Sequence, residues 1–174
     1  GFKMIDKNYR KMFGVPRPML HQMLCSPSLV MDAMIDGDPY PIKAMICWES
    51  NPLAWAPNTK KMYKALKNLD LLVSVEYWKT PTAALADYIM PACDWMERPL
   101  CTTSMDFITV GDRGVEPYEE RRVDYDFFRA LGCAMGQEKD WPWETYEQAI
   151  EYTVERVPDL DYEKAVNMGT YFPY

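Results

Sequence analysis

Residues 41–52 read PIKAMICWESNP, an almost wholly apolar run that gives way to a polar loop at Glu49. A short apolar run with polar boundaries is typical of a strand that is buried on both faces of a parallel sheet. A second run of this kind, LLVSV at residues 71–75, breaks off at Glu76. Residues 88–90 predict a third short strand. The spacing of the three runs leaves room for one helix between each strand and the next.

The segments between the strands have the periodicity of helices. Asn58 is predicted to cap a helix in which apolar residues share one face and lysines face water. Thr80 and Pro81 are predicted to open a shorter helix that runs through Ala86. Strand, helix, strand, helix and strand in that order predict a parallel sheet with right-handed crossovers. The predicted fold class is therefore α/β: a three-layer α/β/α sandwich with a short, mostly parallel, Rossmann-like sheet.

The flanking residues predict further helices and one further strand. Ser26 and Pro27 are typical of a helix start, and that helix is expected to stop at Gly37. After residue 100 the predicted elements are a strand at 107–110, a turn at 111–114, a helix capped by Asp124 that ends before Gly136, and helices over 143–154 and 162–168. We interpret residues 1–174 as a single α/β domain fragment, with a lead-in and first helix at 1–37, a β-α-β-α-β core at 38–100, and loops with C-terminal helices at 101–174.

The bulk composition is that of an ordinary globular protein. A chain of 174 residues can bury a sizeable core without disulfides. Its net charge of −7 argues against a nucleic-acid partner, because such partners are bound by clustered lysine and arginine. The sequence has neither a membrane-spanning apolar run nor a signal peptide, so we expect a soluble chain with no direct membrane insertion. Since the first residue is Gly1 and not methionine, we expect a longer parent protein, either cytoplasmic or exported and held at a membrane through partner subunits.

The sequence offers no catalytic constellation of its own. The five cysteines are odd in number and far apart, which favours reduced, mostly buried thiols over a disulfide framework or a metal site. The single histidine, His21, is too few for a histidine-rich metal centre. No glycine-rich dinucleotide fingerprint follows the first strand, and neither a P-loop nor a nucleophile elbow occurs. Ordinary NAD or ATP binding is therefore not expected.

Polar loops follow each of the three predicted strands. Because ligands of parallel α/β sheets bind at the carboxyl ends of the strands, these loops are the expected site. Glu49, Glu76 and Asp94 could each accept two parallel hydrogen bonds from a guanine edge, or could simply be solvated loop carboxylates. Asn58, which lies close to two lysines, could help to present backbone donors to a phosphate or could act only as a helix cap.

Several short motifs, taken in order, carry a resemblance to a known family. They are ESNPL at 49–53, ALKNLD at 65–70, TPTA at 80–83, ADYIMP at 86–91 and WMER at 95–98. An Asn-Pro after a strand, followed by a Thr-Ala…Ala-Asp…Pro signature, resembles the molybdopterin oxidoreductase family, also called the dimethyl sulfoxide reductase family. The resemblance covers residues 38–136, and within the family the chain looks most like the dimethyl sulfoxide reductase-like and polysulfide reductase-like catalytic subunits.

This resemblance implies a domain that holds the guanine dinucleotide arm of one of two molybdopterin cofactors, which together chelate molybdenum or tungsten. Asn51 matches the family's asparagine after the first strand, and Thr80 and Thr82 match the threonines that open its next helix. Glu76 and Asn58 both stand where the family commonly has aspartate. The expected cofactor-binding residues are Glu49, Ser50, Asn51, Asn58, Glu76, Tyr77, Thr80, Thr82 and Asp94.

The resemblance implies neither a catalytic residue nor a metal ligand within these residues. The family's cysteine motif for an iron–sulfur cluster normally lies upstream, so such a cluster is expected elsewhere in the parent. The implied partners are other domains of the same parent chain and an iron–sulfur electron-transfer subunit. The parent is expected to be a molybdopterin-dependent oxidoreductase that reduces or oxidises a small molecule, as in anaerobic respiration, and the isolated chain is expected to be inactive. A second interpretation stays open: a non-enzymatic, receiver-like or partner-docking α/β module.

Overall fold

The computed structural model describes residues 27–103 and 107–172. The described residues group into two compact units, the first ending at Ile89 and the second starting at Met90. The helices are α1 (Pro27–Asp36), α2 (Pro52–Trp55), α3 (Thr59–Lys67), α4 (Asp124–Ala134), α5 (Tyr146–Glu155) and α6 (Tyr162–Met168). The strands are β1 (Ala44–Trp48), β2 (Leu71–Glu76), β3 (Tyr88–Pro91), β4 (Leu100–Thr103), β5 (Ile108–Gly111) and β6 (Thr170–Tyr171), and short 3-10 turns lie at Ala83–Leu85 and Glu138–Asp140.

The first unit is built on a sheet with the strand order β1-β2-β3. Strands β1 and β2 are parallel, in a register that runs from Ala44 beside Leu71 to Trp48 beside Val75. A helix connects them, as the sequence predicts, and α3 begins one residue after its predicted cap, Asn58. The α/β class with a small, mostly parallel sheet and flanking helices is therefore confirmed.

One face of this sheet packs against the helices. Alternation along a strand places Met45 and Cys47 of β1 on that face, beside Leu72 of β2. They join a cluster of buried apolar side chains from α1 and α3, which include Met31 and Met62. The amide of Leu72 also donates to Asp87 Oδ2 over 2.7 Å. The core of the first unit thus lies between one face of the sheet and two helices.

The burial predicted for β1 is wrong on one face. Ile46 is 39% exposed and Trp48 is 49% exposed. Their side chains lie on the face opposite Cys47, and the buried helix residues in the core cluster are those that contact the Cys47 face. The helix predicted to start at Thr80 and run through Ala86 is shorter than expected. Only the 3-10 turn Ala83–Leu85 forms in that segment.

The second unit contains the antiparallel sheet β4-β5-β6. Strand β5 confirms the strand predicted near residue 108, whereas the sequence did not predict β4 or β6. Buried side chains of β5 pack against α5 and α6, and these residues are Ile108, Val110, Ile150, Val154, Leu160 and Ala165. This cluster forms a second, separate apolar core.

Two helix starts in the second unit differ from the prediction. Asp124 is the first residue of α4 and not its cap, which is Val123. Its carboxylate instead pairs with Arg98, with 2.9 Å between Oδ2 and Nη1. Helix α5 starts at Tyr146 and not at residue 143, because Thr145 caps it by accepting a hydrogen bond from the amide of Gln148.

Candidate functional site at the carboxyl ends of two parallel strands

The loops that follow β1 and β2 start side by side. The amide of Glu49 donates to the carbonyl of Val75 over 2.9 Å, which extends the strand pairing into both loops. Glu49 has a backbone φ of +44°, a left-handed conformation that turns the chain sharply and is uncommon for a residue other than glycine. The polar residues predicted after the two strands therefore emerge at the same edge of the sheet.

A buried hydrogen-bond clasp joins the two loops. Thr82 Oγ1 donates to Asn51 Oδ1 over 2.7 Å and accepts from the amide of Leu53 over 3.1 Å. Thr82 is fully buried, and it lies 31 residues after Asn51 in the sequence. Asn51 and Thr82, both expected among the cofactor-binding residues, are thus brought together, and their side chains fix the position of one loop relative to the other.

Replacing Thr82 with valine tests the clasp. Valine keeps the branched shape but removes the hydroxyl, so the amide of Leu53 loses its acceptor and Asn51 Oδ1 keeps only the longer bond from the amide of residue 82, at 3.4 Å. Leaving buried polar groups unpaired costs about 1–3 kcal/mol each, and we expect a loss of unfolding free energy in that range. Urea unfolding measures this loss. Thr102→Val, at an exposed threonine of β4, is the matched control and is expected to stay within about 0.5 kcal/mol of the original chain. Equal stability of the two variants would show that the clasp contributes nothing.

Glu76, at the end of β2, is a buried carboxylate in a defined orientation. It is 7% exposed, and its Oε1 accepts hydrogen bonds from the amides of Tyr77 over 3.0 Å and Trp78 over 3.3 Å. Both bonds end on Oε1, and Oε2 takes part in neither. Two amides that point at one carboxylate oxygen hold the plane of the carboxylate. The chain therefore presents a fixed negative group at the rim.

The negative charge of Glu76 acts on the thiol of Cys47. Burial, together with the negative charge of Glu76, raises the pKa of the Cys47 thiol to about 11. The thiol donates a hydrogen bond to the carbonyl of Ser50 over 3.1 Å. A thiol with this pKa stays protonated at neutral pH and is not activated as a nucleophile.

The other predicted residues of these loops make local contacts. Ser50 Oγ accepts a hydrogen bond from the indole of Trp55 over 3.0 Å. Thr80 Oγ1 accepts from the amide of Ala83 over 3.1 Å and so caps the 3-10 turn. Tyr77 is half-buried, and its ring centroid lies 5.7 Å from that of Trp78. These contacts shape the loops and leave aromatic surface at the rim.

Asn58 is a helix cap in this structure. Its side chain accepts a hydrogen bond from the amide of Lys61 over 3.1 Å, and its backbone is left-handed with a φ of +59°. The ammonium of Lys61 pairs with Asp32. The capping interpretation is therefore realised, and a role for Asn58 in phosphate binding stays a prediction.

Asp94 belongs to the second unit. The carboxylate of Glu97 binds the loop that contains Asp94. Asp94 Oδ1 is buried without a hydrogen-bond partner among the described residues. Its amide donates to Glu97 Oε2 over 2.7 Å. Glu97 also accepts from the amide of Tyr118 over 2.9 Å and from Arg121 Nη1 over 3.1 and 3.2 Å. Sequence reasoning did not single out Glu97 or Arg121, since nothing local marks a pair that lies 24 residues apart.

The ionisation of Glu97 follows from these contacts. Burial alone would raise its pKa, but hydrogen bonds from the amides of Asp94 and Tyr118, together with the Arg121 guanidinium, outweigh burial and lower the pKa. Glu97 is thus a charged group inside the second unit, and it holds the Asp94 loop by its backbone.

Residues 27–103 and 107–172 contain neither a cluster of possible metal ligands nor a helix suited to span a membrane. Within these ranges, no group of three or more histidine, cysteine, aspartate or glutamate side chains could hold a metal ion. In the same ranges, none of the helices combines the length and the apolar character needed to cross a bilayer.

The sequence and the fold both match known proteins. Residues 26–134 match the family Molybdopterin oxidoreductase. Acetylene hydratase of Syntrophotalea acetylenica is 32% identical, over 98% of this chain and 24% of its own length. The molybdopterin-containing subunit of thiosulfate reductase from Salmonella typhimurium is 30% identical, over 66% of this chain and 16% of its own length. The solved structure of acetylene hydratase from Pelobacter acetylenicus superposes with a TM-score of 0.75 at 29% identity, over 98% of this chain and 24% of that chain.

The chain therefore spans about a quarter or less of the length of these relatives. The family match covers the whole first unit as described, and it extends to the end of α4 in the second. The motifs that carried the resemblance lie inside the matched residues. This chain belongs to the molybdopterin oxidoreductase family.

Proposed function

We propose that this chain binds the guanine dinucleotide part of one molybdopterin cofactor, at the rim formed by the loops after β1 and β2. The observation that carries the proposal is the orientation of Glu76, whose Oε1 is held by two backbone amides while Oε2 takes part in neither bond. Guanine presents two adjacent N–H donors on one edge, and a fixed carboxylate is the matching acceptor. The two loops lie next to each other because Asn51 and Thr82 clasp them together.

The residues of the rim differ in what they contribute to such a site. Glu76 supplies the acceptor for the base, and Tyr77 and Trp78 supply aromatic surface beside it. Asn51 and Thr82 position the loops through their own hydrogen bond. Glu49 and Ser50 lie in the loop that faces Glu76 across the strand pair and are proposed as further polar contacts. Thr80 and Asn58 act first as caps, and Asp94 belongs to a separate unit, so the proposal depends least on these three.

The whole protein is proposed to be the catalytic subunit of a molybdenum or tungsten bis(molybdopterin guanine dinucleotide) enzyme that reduces or oxidises a small molecule. When bound, the cofactor supplies the metal at which that reaction takes place. The residues of this chain bind and orient the cofactor, and charge-assisted hydrogen bonds to its dinucleotide arm fix the geometry. The matched relatives are named as a hydratase and a reductase, so the substrate is not carried over from them. An iron–sulfur cluster and an electron-transfer subunit remain proposed features of the whole protein.

Titration of the isotopically labelled chain with GMP tests this binding. We expect amide chemical-shift changes at Ser50, Tyr77 and Trp78, because their N–H groups lie in the two loops of the rim. AMP is the control, since its base edge presents a single donor beside an acceptor, and it should cause smaller changes. Shift changes confined to the opposite end of the sheet, near Lys43 and Asp70, would contradict the proposal.

The rival function is a receiver-like or partner-docking module with a divalent ion at the strand ends. Such a site needs an acidic pair directly after the first strand, whereas Glu49 is followed by Ser50 and Asn51. A saturable Mg²⁺ effect at Glu49, without any effect of GMP, would favour the rival. The family match favours the cofactor-binding function.

A further inference from the structure

Ser50, in the loop after β1, is held by two hydrogen bonds that leave its hydroxyl hydrogen unused. Its carbonyl oxygen accepts from the Cys47 thiol over 3.1 Å, and its Oγ accepts from the indole N–H of Trp55 over 3.0 Å. A hydroxyl has one hydrogen to donate and two lone pairs that accept, whereas an indole nitrogen can only donate. Among residues 27–103 and 107–172, no acceptor takes the hydroxyl hydrogen of Ser50. Ser50 therefore presents a donor whose acceptor is still missing.

Ser50 and Glu76 belong to the same part of the rim. The hydrogen bond from the amide of Glu49 to the carbonyl of Val75 places the residues that follow β1 and β2 side by side. The Cys47 thiol contacts the loop of Ser50 directly, and the charge of Glu76 acts on the same thiol. Two backbone amides occupy Oε1 of Glu76, while Oε2 takes part in neither bond. The rim thus combines a hydroxyl donor with a carboxylate acceptor.

A donor beside an acceptor matches the polar atoms along one edge of guanine. The N1–H and the amino group of guanine need acceptors, and the carbonyl oxygen O6 next to N1 needs a donor. Adenine and cytosine reverse this order, because an amino group replaces O6 and a ring nitrogen without hydrogen replaces N1–H. A carboxylate would then face a lone pair, and an unpaired polar group of this kind is what rejects the wrong base. The pair of side chains therefore favours guanine over adenine and cytosine.

We infer that Ser50 determines base specificity: its hydroxyl donates to O6 of guanine while Glu76 accepts from the neighbouring N–H groups. Trp55 is a positioning residue in this arrangement, because its indole N–H occupies one lone pair of Ser50 Oγ and leaves the hydroxyl hydrogen to point away from the indole. Trp55 is 57% exposed, so its N–H could bind water instead, yet it binds Ser50. The inference rests on the proposed function and adds to it how the base is selected.

Calorimetric titration with GMP and with 6-thio-GMP tests the contact to O6. The thio analogue keeps N1–H and the amino group but replaces O6 with sulfur, which is a poor acceptor. We expect the original chain to prefer GMP over 6-thio-GMP by about 3- to 10-fold, the equivalent of one hydrogen bond between neutral groups. Ser50→Ala should bind GMP about 3- to 10-fold more weakly, and its preference for GMP should fall below about twofold. Ser28→Ala, which removes an exposed hydroxyl in α1, is the matched control and should leave both affinities unchanged.

Trp55→Phe tests the positioning role separately. Phenylalanine keeps an aromatic ring but removes the N–H, so the hydroxyl of Ser50 is free to rotate. We expect GMP affinity to fall about two- to threefold, less than in Ser50→Ala, and the preference for GMP over 6-thio-GMP to fall with it. A ring that only packs against the loop would instead lower both affinities by the same factor, and that result would remove Trp55 from the arrangement.

The failure of this inference and the failure of the proposed function give different results. GMP binding that Glu76→Gln weakens and Ser50→Ala leaves unchanged would overturn the inference and leave the proposed function standing. Equal losses of GMP and 6-thio-GMP in Ser50→Ala would also overturn it, because the hydroxyl would then contact a part that both nucleotides share, such as the phosphate. A folded original chain that binds no GMP would contradict the proposed function, and the inference would fall with it.

Discussion

Replacing Glu97 with glutamine is expected to lower the free energy of unfolding of the second unit by about 3 kcal/mol, which is the lower end for breaking a buried ion pair. Glu97 is 5% exposed, and its carboxylate accepts hydrogen bonds from two backbone amides and the Arg121 guanidinium. Glutamine keeps the size but removes the charge, so Arg121 is left without its counter-ion. The side chain of Arg121 is 26% exposed and can be partly solvated, which keeps the loss at the lower end.

The effect of Glu97→Gln also depends on pH. The folded-state pKa of Glu97 is lowered below its usual value of 4.5, so its contribution to stability is fully present above pH 4.5. It is lost as the pH falls through the folded-state pKa. The difference in unfolding free energy between the original chain and the variant should therefore be large at neutral pH and shrink in acid.

Chemical denaturation at several pH values measures both effects. Glu116→Gln is the matched control, because Glu116 forms an exposed pair with Arg113 three residues away and should contribute less than about 1 kcal/mol. If Glu97→Gln were as stable as Glu116→Gln at neutral pH, the buried pair would not hold the Asp94 loop as described.

Replacing Glu76 with glutamine is expected to weaken GMP binding by about 10- to 100-fold, the equivalent of one lost hydrogen bond to a charged group. Glutamine offers an NH₂ group where the carboxylate offers an oxygen, so a guanine N–H would face another donor. The orientation of Glu76 makes this loss specific, because the amides of Tyr77 and Trp78 fix Oε1 in the original chain. Isothermal titration of both chains with GMP measures the change.

The control for Glu76→Gln is Asp70→Asn. Asp70 immediately precedes the amino end of β2, is exposed, and pairs with Lys43, so its replacement removes the same charge far from the rim. We expect GMP affinity to be unchanged in Asp70→Asn. Equal GMP affinities for the original chain and Glu76→Gln, with both chains folded, would remove Glu76 from the site.

The sequence predicted the first unit well because its signals are local. The apolar runs of β1 and β2 end in polar loops, and Asn58 marks the start of α3 within a few residues of sequence. The exposure of one face of β1, which carries Ile46 and Trp48, could not be predicted in the same way. An apolar run indicates that a strand is suited to burial on both faces, but it carries no information on whether the second layer belongs to the same unit.

The second unit was predicted less well because its contacts are long-range. Strand β6 contains two residues, and it forms only because Thr109 of β5 pairs with Thr170, which lies 61 residues later in the sequence. Asp124 has the residue type of a cap, but Arg98 competes for its carboxylate. The pairing of Glu97 with Arg121 has no local signature either, so it became visible only in the fold.

In the candidate site too, local signals could be predicted from the sequence and long-range contacts could not. Position after a strand was enough to single out the loops of Asn51 and Glu76, and the family resemblance added Thr82. The roles within the rim depend on contacts that join separate segments, such as the bond from Thr82 to Asn51. The sequence could therefore select the loops, whereas the structure separates the residues that position them from the carboxylate that we propose as the acceptor for guanine.

A structure of the full-length protein with its pterin cofactor bound is the most direct test of the central claim. The account predicts that the guanine edge lies within hydrogen-bond distance of the Glu76 carboxylate, between the loops that follow β1 and β2. A nucleotide bound at the opposite end of the sheet, with the rim of Glu76 filled by the protein's own side chains, would contradict it.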